Sequence, residues 1–473
     1  MIQYVINIGR LAQILPKERE KRMKIVIMGL GTIGKTVLKT LTAMGHTVTI
    51  IDESKEKIES LIEKYDVYGM VGNAASMEIQ REAKMREADI AIALTNKDEV
   101  NILACLVAKK AGAKNTVARV RNPEYSKQIA DMQEELGISM IVNPERDTAD
   151  EIFNLINLPS IVQADNFAGG RVLLVEIVAD RSCALVGETL SSLSKKLETK
   201  VLFCAVERND EVMIPSGNFL ILEGDRIHFT ADAGSLRSFL SEINLVTSPL
   251  KKIMIVGGGE IGQYLASELS KKKRTIKLIE ENRSRAEELA ELLPKVTVIH
   301  GNGTRHDLLL EEGIESMDAF VALTETDEEN LVVSMFANKM KVKKTITQIR
   351  SDDLNGILEE LGVENNVSPR AIVADRITSY VRAIANKRGS NVLTLYRLVG
   401  DRVEALEFAA KKQERFYNKP LKELKIKENC LIASIIRGDE VIIPDGNSEI
   451  KQGDTVIVVT THKNFDDLSD VIG

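Results

Sequence analysis

Hydrophobic residues in the first 145 positions fall into short unbroken runs separated by longer amphipathic stretches. Lys24-Ile25-Val26-Ile27-Met28 and Val48-Thr49-Ile50-Ile51 open the series. Residues 67–71, Ile90-Ala91-Ile92-Ala93-Leu94, Thr116-Val117-Ala118-Arg119-Val120 and Ser139-Met140-Ile141-Val142 continue it. Runs this short read as strands, and their continuous rather than alternating apolar character predicts a parallel sheet covered on both faces. Helical patterns lie between them, so the expected fold class is α/β, with a Rossmann-like, doubly wound parallel sheet.

The same pattern is written twice. Lys252 to Gly262 reads Lys-Ile-Met-Ile-Val-Gly-Gly-Gly-Glu-Ile-Gly and restates Lys24 to Gly34 at a shift of 228 residues; Glu280 follows Asp52 at the same shift. Gly72-Asn73 recurs as Gly301-Asn302, and Ala93-Leu94-Thr95 with Asp98-Glu99 and Asn101 recurs as Ala322-Leu323-Thr324 with Asp327-Glu328 and Asn330, shifted by 229. Landmarks kept in one order at a nearly constant offset indicate a duplicated domain.

After each parallel-sheet domain the period changes. Residues 201–206 lead through Arg208-Asn209-Asp210 to Ile214-Pro215-Ser216-Gly217 and Gly224-Asp225. Residues 431–436 lead through Arg437-Gly438-Asp439 to Ile443-Pro444-Asp445-Gly446 and Gly453-Asp454. Short strands with polar turns predict a small α+β domain after each copy. Asn143-Pro144 and Ser368-Pro369 punctuate the two parallel-sheet domains, because the residue before proline is biased away from helix. An amphipathic stretch follows each, over residues 147–158 and 372–386, which either closes its own sheet or forms a dimer arm. Thr247-Ser248-Pro249 is the expected linker between halves. The expected domains are an N-terminal extension over 1–22, Rossmann domains over 23–145 and 250–370, and crossover helix plus small domain over 146–246 and 371–473.

A length of 473 residues accommodates this many units. A net charge of -7 offers no attraction to phosphate backbones, so nucleic acid is not an expected partner. No apolar run reaches the ~20 residues that span a bilayer. Residues 1–15 are fairly apolar and 16–22 charged, which fits a membrane-surface helix or an upstream start before a natural start at Met23; the second is favoured because the first strand begins immediately after Met23. Cys105, Cys183, Cys204 and Cys430 show no metal-ligand or redox spacing and read as reduced core thiols of the cytoplasm.

The chemistry lies at the glycine turns. Gly29-Leu30-Gly31-Thr32-Ile33-Gly34 follows a strand, opens a helix and is followed by Asp52 at the end of the next strand, the arrangement that binds dinucleotides. Gly29 makes the turn, Gly31 admits a pyrophosphate to the backbone and Gly34 lets helix pack on strand. Asp52 can accept from ribose hydroxyls and repels a 2′-phosphate, which points to NAD(H) or an adenosine nucleotide rather than NADP. The second turn, Gly257-Gly258-Gly259-Glu260-Ile261-Gly262 with Glu280, carries in Glu260 a carboxylate beside the phosphate path, so weaker binding is expected there. Arg119 and Arg121 can reach a phosphate or pair with acids across a subunit contact. No carboxylate pair, Cys/His dyad or Ser/His/Asp set can be placed opposite either turn, and the histidines are scattered. A dehydrogenase would need such a group, so a non-enzymatic role is expected, with a scaffold of vestigial pockets as the other alternative.

These features together resemble the TrkA family of cytosolic regulatory subunits of Trk potassium uptake systems, over residues 23–471. The resemblance is carried by the first glycine turn, Asp52, Gly72-Asn73, Thr95-Asn96, Arg119-Val120-Arg121-Asn122-Pro123, the duplication, and the Ile-Pro-x-Gly and Gly-Asp turns. It implies two tandem RCK (KTN-type) units, each a Rossmann domain followed by a TrkA-C domain. It further implies pockets for NAD(H) or ATP/ADP, contacted by Gly29 to Ile33, Asp52, Asn73, Thr95, Asn96 and Arg119, and by Gly257 to Ile261, Glu280, Asn302, Thr324 and Glu325. Asn73 and Asn302 depart from the aspartate frequent in the family. The implied assembly is a homo-oligomeric ring, dimer or tetramer, on the cytoplasmic face of the membrane subunit that translocates potassium, whose conformation the nucleotides bias.

Overall fold

The computed structural model describes residues 22–472 apart from 123–124, 126–127, 130–131, 134, 158–160, 162, 168–170, 210, 233, 246–249, 352–353, 355–357, 359–360, 362, 364, 387–391, 399–401, 412–413, 463–464 and 466. Expectations for nearly all of the N-terminal extension, for the linker Thr247-Ser248-Pro249, and for Pro123, Leu158 and Asp210 lie outside the described residues. The chain divides into two units, one formed by residues up to 147 with 369–390, the other by 148–368 with 391–473.

The first unit is built on β1 (Lys24–Met28), β2 (Thr47–Asp52), β3 (Tyr68–Val71), β4 (Ile90–Ala93), β5 (Asn115–Arg119) and β6 (Met140–Val142). They form one parallel sheet in the order β3-β2-β1-β4-β5-β6. Ile25, Val26, Ile27 and Met28 are all buried, because helices cover both faces of β1. The helix Lys55–Lys64 starts where the Ser54 hydroxyl accepts from the Lys57 N–H, and Asp98–Ala111 ends at Gly112 in the left-handed region, φ +113°. The strand order reverses between β1 and β4, the place where open α/β sheets leave a crevice.

The helix Pro369–Asn386, which follows the second sheet in sequence, belongs to this first unit. Val373, Ala374, Ile377 and Val381 lie on one stripe and join Val37, Leu38 and Leu41 of the helix Thr32–Ala43 in a single apolar cluster. Burying the larger of these contributes about 1.5–3 kcal/mol per side chain. His46, from the loop after Thr32–Ala43, is also covered. Burial, helped by the Arg382 charge, pushes its imidazole down to about 4.

In the second unit a five-stranded antiparallel sheet comes first, formed by β7 (Gln163–Phe167), β8 (Val172–Val178), β9 (Leu202–Arg208), β10 (Glu211–Met213) and β11 (Arg226–Asp232), in the order β10-β9-β11-β8-β7. One face packs Phe203 and Phe229 against Phe239 of the helix Leu236–Glu242, with ring centroids 4.7–6.3 Å apart. Next come β12 (Lys252–Val256), β13 (Thr275–Glu280), β14 (Thr297–His300), β15 (Ala319–Ala322), β16 (Lys344–Gln348) and β17 (Asn366–Val367), which repeat the parallel order as β14-β13-β12-β15-β16-β17. Ala149, Ile152, Leu155 and Ile156 of the helix Pro144–Asn157 enter the core of this second parallel sheet.

The unit ends in β18 (Val392–Leu398), β19 (Val403–Ala409), β20 (Cys430–Arg437), β21 (Glu440–Ile442) and β22 (Thr455–Thr460), ordered β18-β19-β22-β20-β21. The two antiparallel sheets meet through Val172, Leu174 and Ala205 against Val403, Ala433 and Val459. The Thr230 hydroxyl donates across that contact to the Ala433 carbonyl at 3.0 Å. Arg208–Asp225 in one sheet and Arg437–Asp454 in the other are the same bidentate pair, and they explain the repeated Gly-Asp turns. Cys105, Cys183 and Cys204 are buried free thiols, and Cys430 is a half-buried one. Burial pushes Cys105 and Cys204 up to about 12. No helix among the described residues is long and apolar enough to cross a membrane.

Candidate nucleotide pockets at the glycine turns

Each glycine turn opens at the crevice where its parallel sheet changes direction. Gly29 sits at φ +95°, and a Cβ there would lie 2.6 Å from the Thr95 nitrogen, so β1 can pass this close to the loop after β4 only as glycine. A Cβ on Gly34 would lie 2.1 Å from the Gly29 carbonyl oxygen, whereas one on Gly31 would meet nothing within 4 Å. Gly31 therefore faces open space for a reason other than packing. It is also the N-cap of Thr32–Ala43 and supplies no side-chain hydrogen bond to the helix, so the N–H groups of the first turn receive no cap from it.

Asp52 holds the other side of the crevice. One carboxylate oxygen accepts from the Leu30 N–H at 2.7 Å, the other from the Ser54 N–H at 2.9 Å, with Lys57 Nζ 3.6 Å away. The Asn73 side chain accepts from the Ala75 N–H at 2.8 Å and so shapes the turn after β3. Asn101, fully buried, accepts from the Thr95 N–H at 2.8 Å and donates to the Arg119 carbonyl at 2.9 Å, fastening the end of β4 to the end of β5. Thr95 and Arg119 are thereby fixed beside the glycine turn.

The cavity is about 560 Å³, within the size range of small-molecule sites. It brings together Gly29, Leu30, Gly31, Asp52, Asn73, Thr95, Asn96 and Arg119 of the expected residues. Thr32, Ile33 and Gly34 are not on its wall; they form the first turn of the helix behind it. Arg119 is the principal cation. Its side chain is only 15% exposed and pairs with Glu145 at 3.3 Å, and its Nε is buried with no partner among the described residues. Burial pulls the guanidinium below its ordinary value, against the pull of Glu145. Arg121 is engaged elsewhere, near Asp98 and donating to the Asn96 carbonyl. Both arginines thus find acids within this chain.

The second cavity, about 490 Å³, repeats the backbone. Gly257 sits at φ +111° with the Leu323 carbonyl where its Cβ would be, and Gly259, like Gly31, faces open space. Glu280 accepts from the Gly258 and Asn282 N–H groups, each at 2.7 Å. Asn330 repeats Asn101, accepting from the Thr324 N–H at 2.7 Å and donating to the Gln348 carbonyl at 3.1 Å. Of the expected residues, Gly257, Gly258, Gly259, Glu280, Asn302, Thr324 and Glu325 line the cavity, while Glu260, Ile261 and Gly262 do not. Glu260 is exposed at the start of the helix Glu260–Ser270.

Lys57, Lys97 and Glu53 in the first pocket, and Glu281, Thr326 and Glu329 in the second, also line the walls and were not expected there. The repeat itself was the available signal, since aligning the two halves marks every position around the turns. Asn101 and Asn330 already stood among its landmarks. Among the described residues no group of His, Cys, Asp and Glu is arranged to hold a metal ion. The arrangement can bind an anion at the helix terminus and a diol at the carboxylate.

The TrkA-N domain model matches residues 25–144 and 253–369, and the TrkA-C domain model matches 174–244 and 406–473. The Trk system potassium uptake protein TrkA homolog 1 of Methanosarcina mazei is 33% identical over 444 residues, 92% of this chain and 97% of that one. The Trk system potassium uptake protein TrkA of Vibrio alginolyticus is 32% identical over 455 residues, 95% and 98% of the two chains. Among solved structures, the GsuK channel bound to NAD matches with a TM-score of 0.63 at 16% identity, over 93% of this chain and 77% of that one. The GsuK RCK domain matches with a TM-score of 0.62, also at 16% identity, over 93% of each chain. These last two likenesses are of fold.

Proposed function

The chain belongs to the TrkA family, with its TrkA-N and TrkA-C domains each present twice, and from that premise we infer that it is a nucleotide-sensing regulatory subunit of a Trk-type potassium uptake system. The observation that carries the reading is the first cavity. It joins a helix N-terminus without a side-chain cap, the Asp52 carboxylate at the end of the next strand, and Arg119, whose Nε is buried with no partner among the described residues. NAD(H) fits this set, with ATP or ADP as the alternative. Asp52 would receive the ribose hydroxyls, Gly31 and the following N–H groups the phosphates, and Arg119 the remaining charge. Asn73, Thr95 and Asn96 border the same space. The relatives' names, and a structural neighbour described as bound to NAD, support the assignment.

The role is one of binding rather than chemistry. A ligand that contacts two states of the protein unequally shifts their populations and needs no reaction to do so. A tenfold difference in affinity biases the equilibrium by about 1.4 kcal/mol per site, so a sharp response requires several coupled sites. A homo-oligomeric ring, dimer or tetramer, on the cytoplasmic face of the potassium-translocating membrane subunit would supply them.

Calorimetric titration of the purified chain with NADH and with ATP tests the ligand, and Asp52→Ala tests the site. Absence of binding by both nucleotides removes the reading. Potassium uptake reconstituted with the membrane subunit, with and without nucleotide, tests the regulatory half; a rate indifferent to this chain would refute it.

A further inference from the structure

The duplication makes each pocket the control for the other, because the backbone is kept while the charge is not. The first cavity is lined by Asp52 and Glu53 against Lys57, Lys97 and Arg119. The second is lined by Glu280, Glu281, Glu325 and Glu329, with no lysine or arginine among its described lining residues. Each change has an address. Thr326 stands where Lys97 stands in the first half, and its hydroxyl caps the helix Asp327–Lys339. Gln348 stands at the place of Arg119 and is buried, its side-chain amide facing the Arg350 guanidinium; once the amide is turned over, its oxygen accepts from Arg350 Nε at 2.9 Å. Arg285 stands at the place of Lys57, but its guanidinium is committed to the Gly258 carbonyl at 3.0 Å, to Gln263 at 2.6 Å and to Glu288 at 2.8 Å. Glu325 and Glu329 occupy the places of Asn96 and Val100, and Glu260 that of Thr32.

We propose that the two pockets differ in ligand selectivity: the first takes a diphosphate-bearing nucleotide, and Glu260, Glu325 and Glu329 are the specificity determinants that exclude one from the second. The proposal rests on the reading that the glycine turns bind nucleotides. An anion at a helix N-terminus is held by a partial positive charge of roughly half an elementary unit. A full carboxylate on the first helical residue opposes that field, and two more on the facing loop and helix add like-charge repulsion that no lysine or arginine among the described lining residues offsets. Since the turn, the ribose acid and the Asn330 clamp are all retained, the difference between the sites is electrostatic rather than steric. The exclusion weakens as salt screens the exposed carboxylates.

Isothermal titration of the full chain with NADH at low salt counts the sites. One equivalent per chain is expected, with Arg119→Gln weakening it by about tenfold or more. In the variant Glu260→Gln/Glu325→Gln/Glu329→Gln a second, weaker equivalent is expected. All three side chains are exposed, so the variant should melt with the parent. Two equivalents in the parent protein would sink the asymmetry while leaving the nucleotide reading intact. A triple variant that melts normally and still binds one equivalent would remove these glutamates as determinants. No binding in the parent would overturn the nucleotide reading and this proposal with it.

Discussion

The Asp52 carboxylate accepts from the Leu30 N–H at 2.7 Å, so the acid expected to receive a ribose also fastens the turn expected to receive the phosphates. One residue therefore couples the two halves of the ligand site. Asp52→Ala removes a charged acceptor from two backbone N–H groups, each such bond being worth about 1.5–3 kcal/mol. NADH affinity should fall by about 10- to 100-fold or more, and titration calorimetry on Asp52→Ala and Asp52→Asn reads it. Unchanged affinity in both would separate Asp52 from the ligand.

The glycines of the first turn make opposite predictions. Gly34→Ala forces a methyl group to within 2.1 Å of the Gly29 carbonyl and should cost about 3 kcal/mol or more of stability. Gly31→Ala meets nothing within 4 Å, so its stability should stay within roughly 0.5 kcal/mol of the parent while nucleotide binding is lost. Thermal melts paired with titrations distinguish the two; a Gly31→Ala protein that binds normally would show that the phosphates do not approach there.

Asn101 and Asn330 fasten two strand ends each in a buried setting. Replacing either by alanine leaves a part-buried N–H and a carbonyl without their partner, at about 1–3 kcal/mol. Hydrogen exchange should localise the loss to the ends of β4 and β5 for Asn101→Ala, and to the ends of β15 and β16 for Asn330→Ala. Uniform exchange across both units would contradict a local clamp.

Acid should weaken the second unit through His228. The residue is 3% exposed, its Nε2 has no partner among the described residues, and burial with the Arg226 charge pushes it down to about 4. Because the folded value lies below the ordinary one near 6.5, the neutral ring is favoured in the fold. Its contribution is complete above pH ~6.5 and is lost as pH falls toward 4, to a total on the order of 3 kcal/mol. His46 in the first unit acts with the same sign. Urea midpoints measured between pH 7.5 and 4.5 should drop less in His228→Leu than in the parent, and an identical slope would discharge His228 from this role.

Much of the fold was readable because parallel strands buried on both faces leave continuous apolar runs. Ile25 to Met28 and Ile253 to Val256 could be read as strands without any knowledge of their neighbours. The glycine turn with its following acid was equally legible, since a strained φ at Gly29 and a close approach at Gly34 restrict the residue type itself. Lys57 and Lys97 were not, because a lysine on a helix or loop looks the same in sequence whether it faces solvent or a cavity.

The sequence by itself determined two parallel sheets, two small sheet-rich domains and where each glycine turn falls, because periodicity and backbone restriction are local properties. Only the tertiary structure decided that Pro369–Asn386 packs on Thr32–Ala43 and that Arg119 pairs with Glu145. It also decided that Glu329 rather than Glu260 lines the second cavity. An apolar stripe states that a face must be buried and a charge that it needs a partner; neither names which surface, far away in the chain, will provide it.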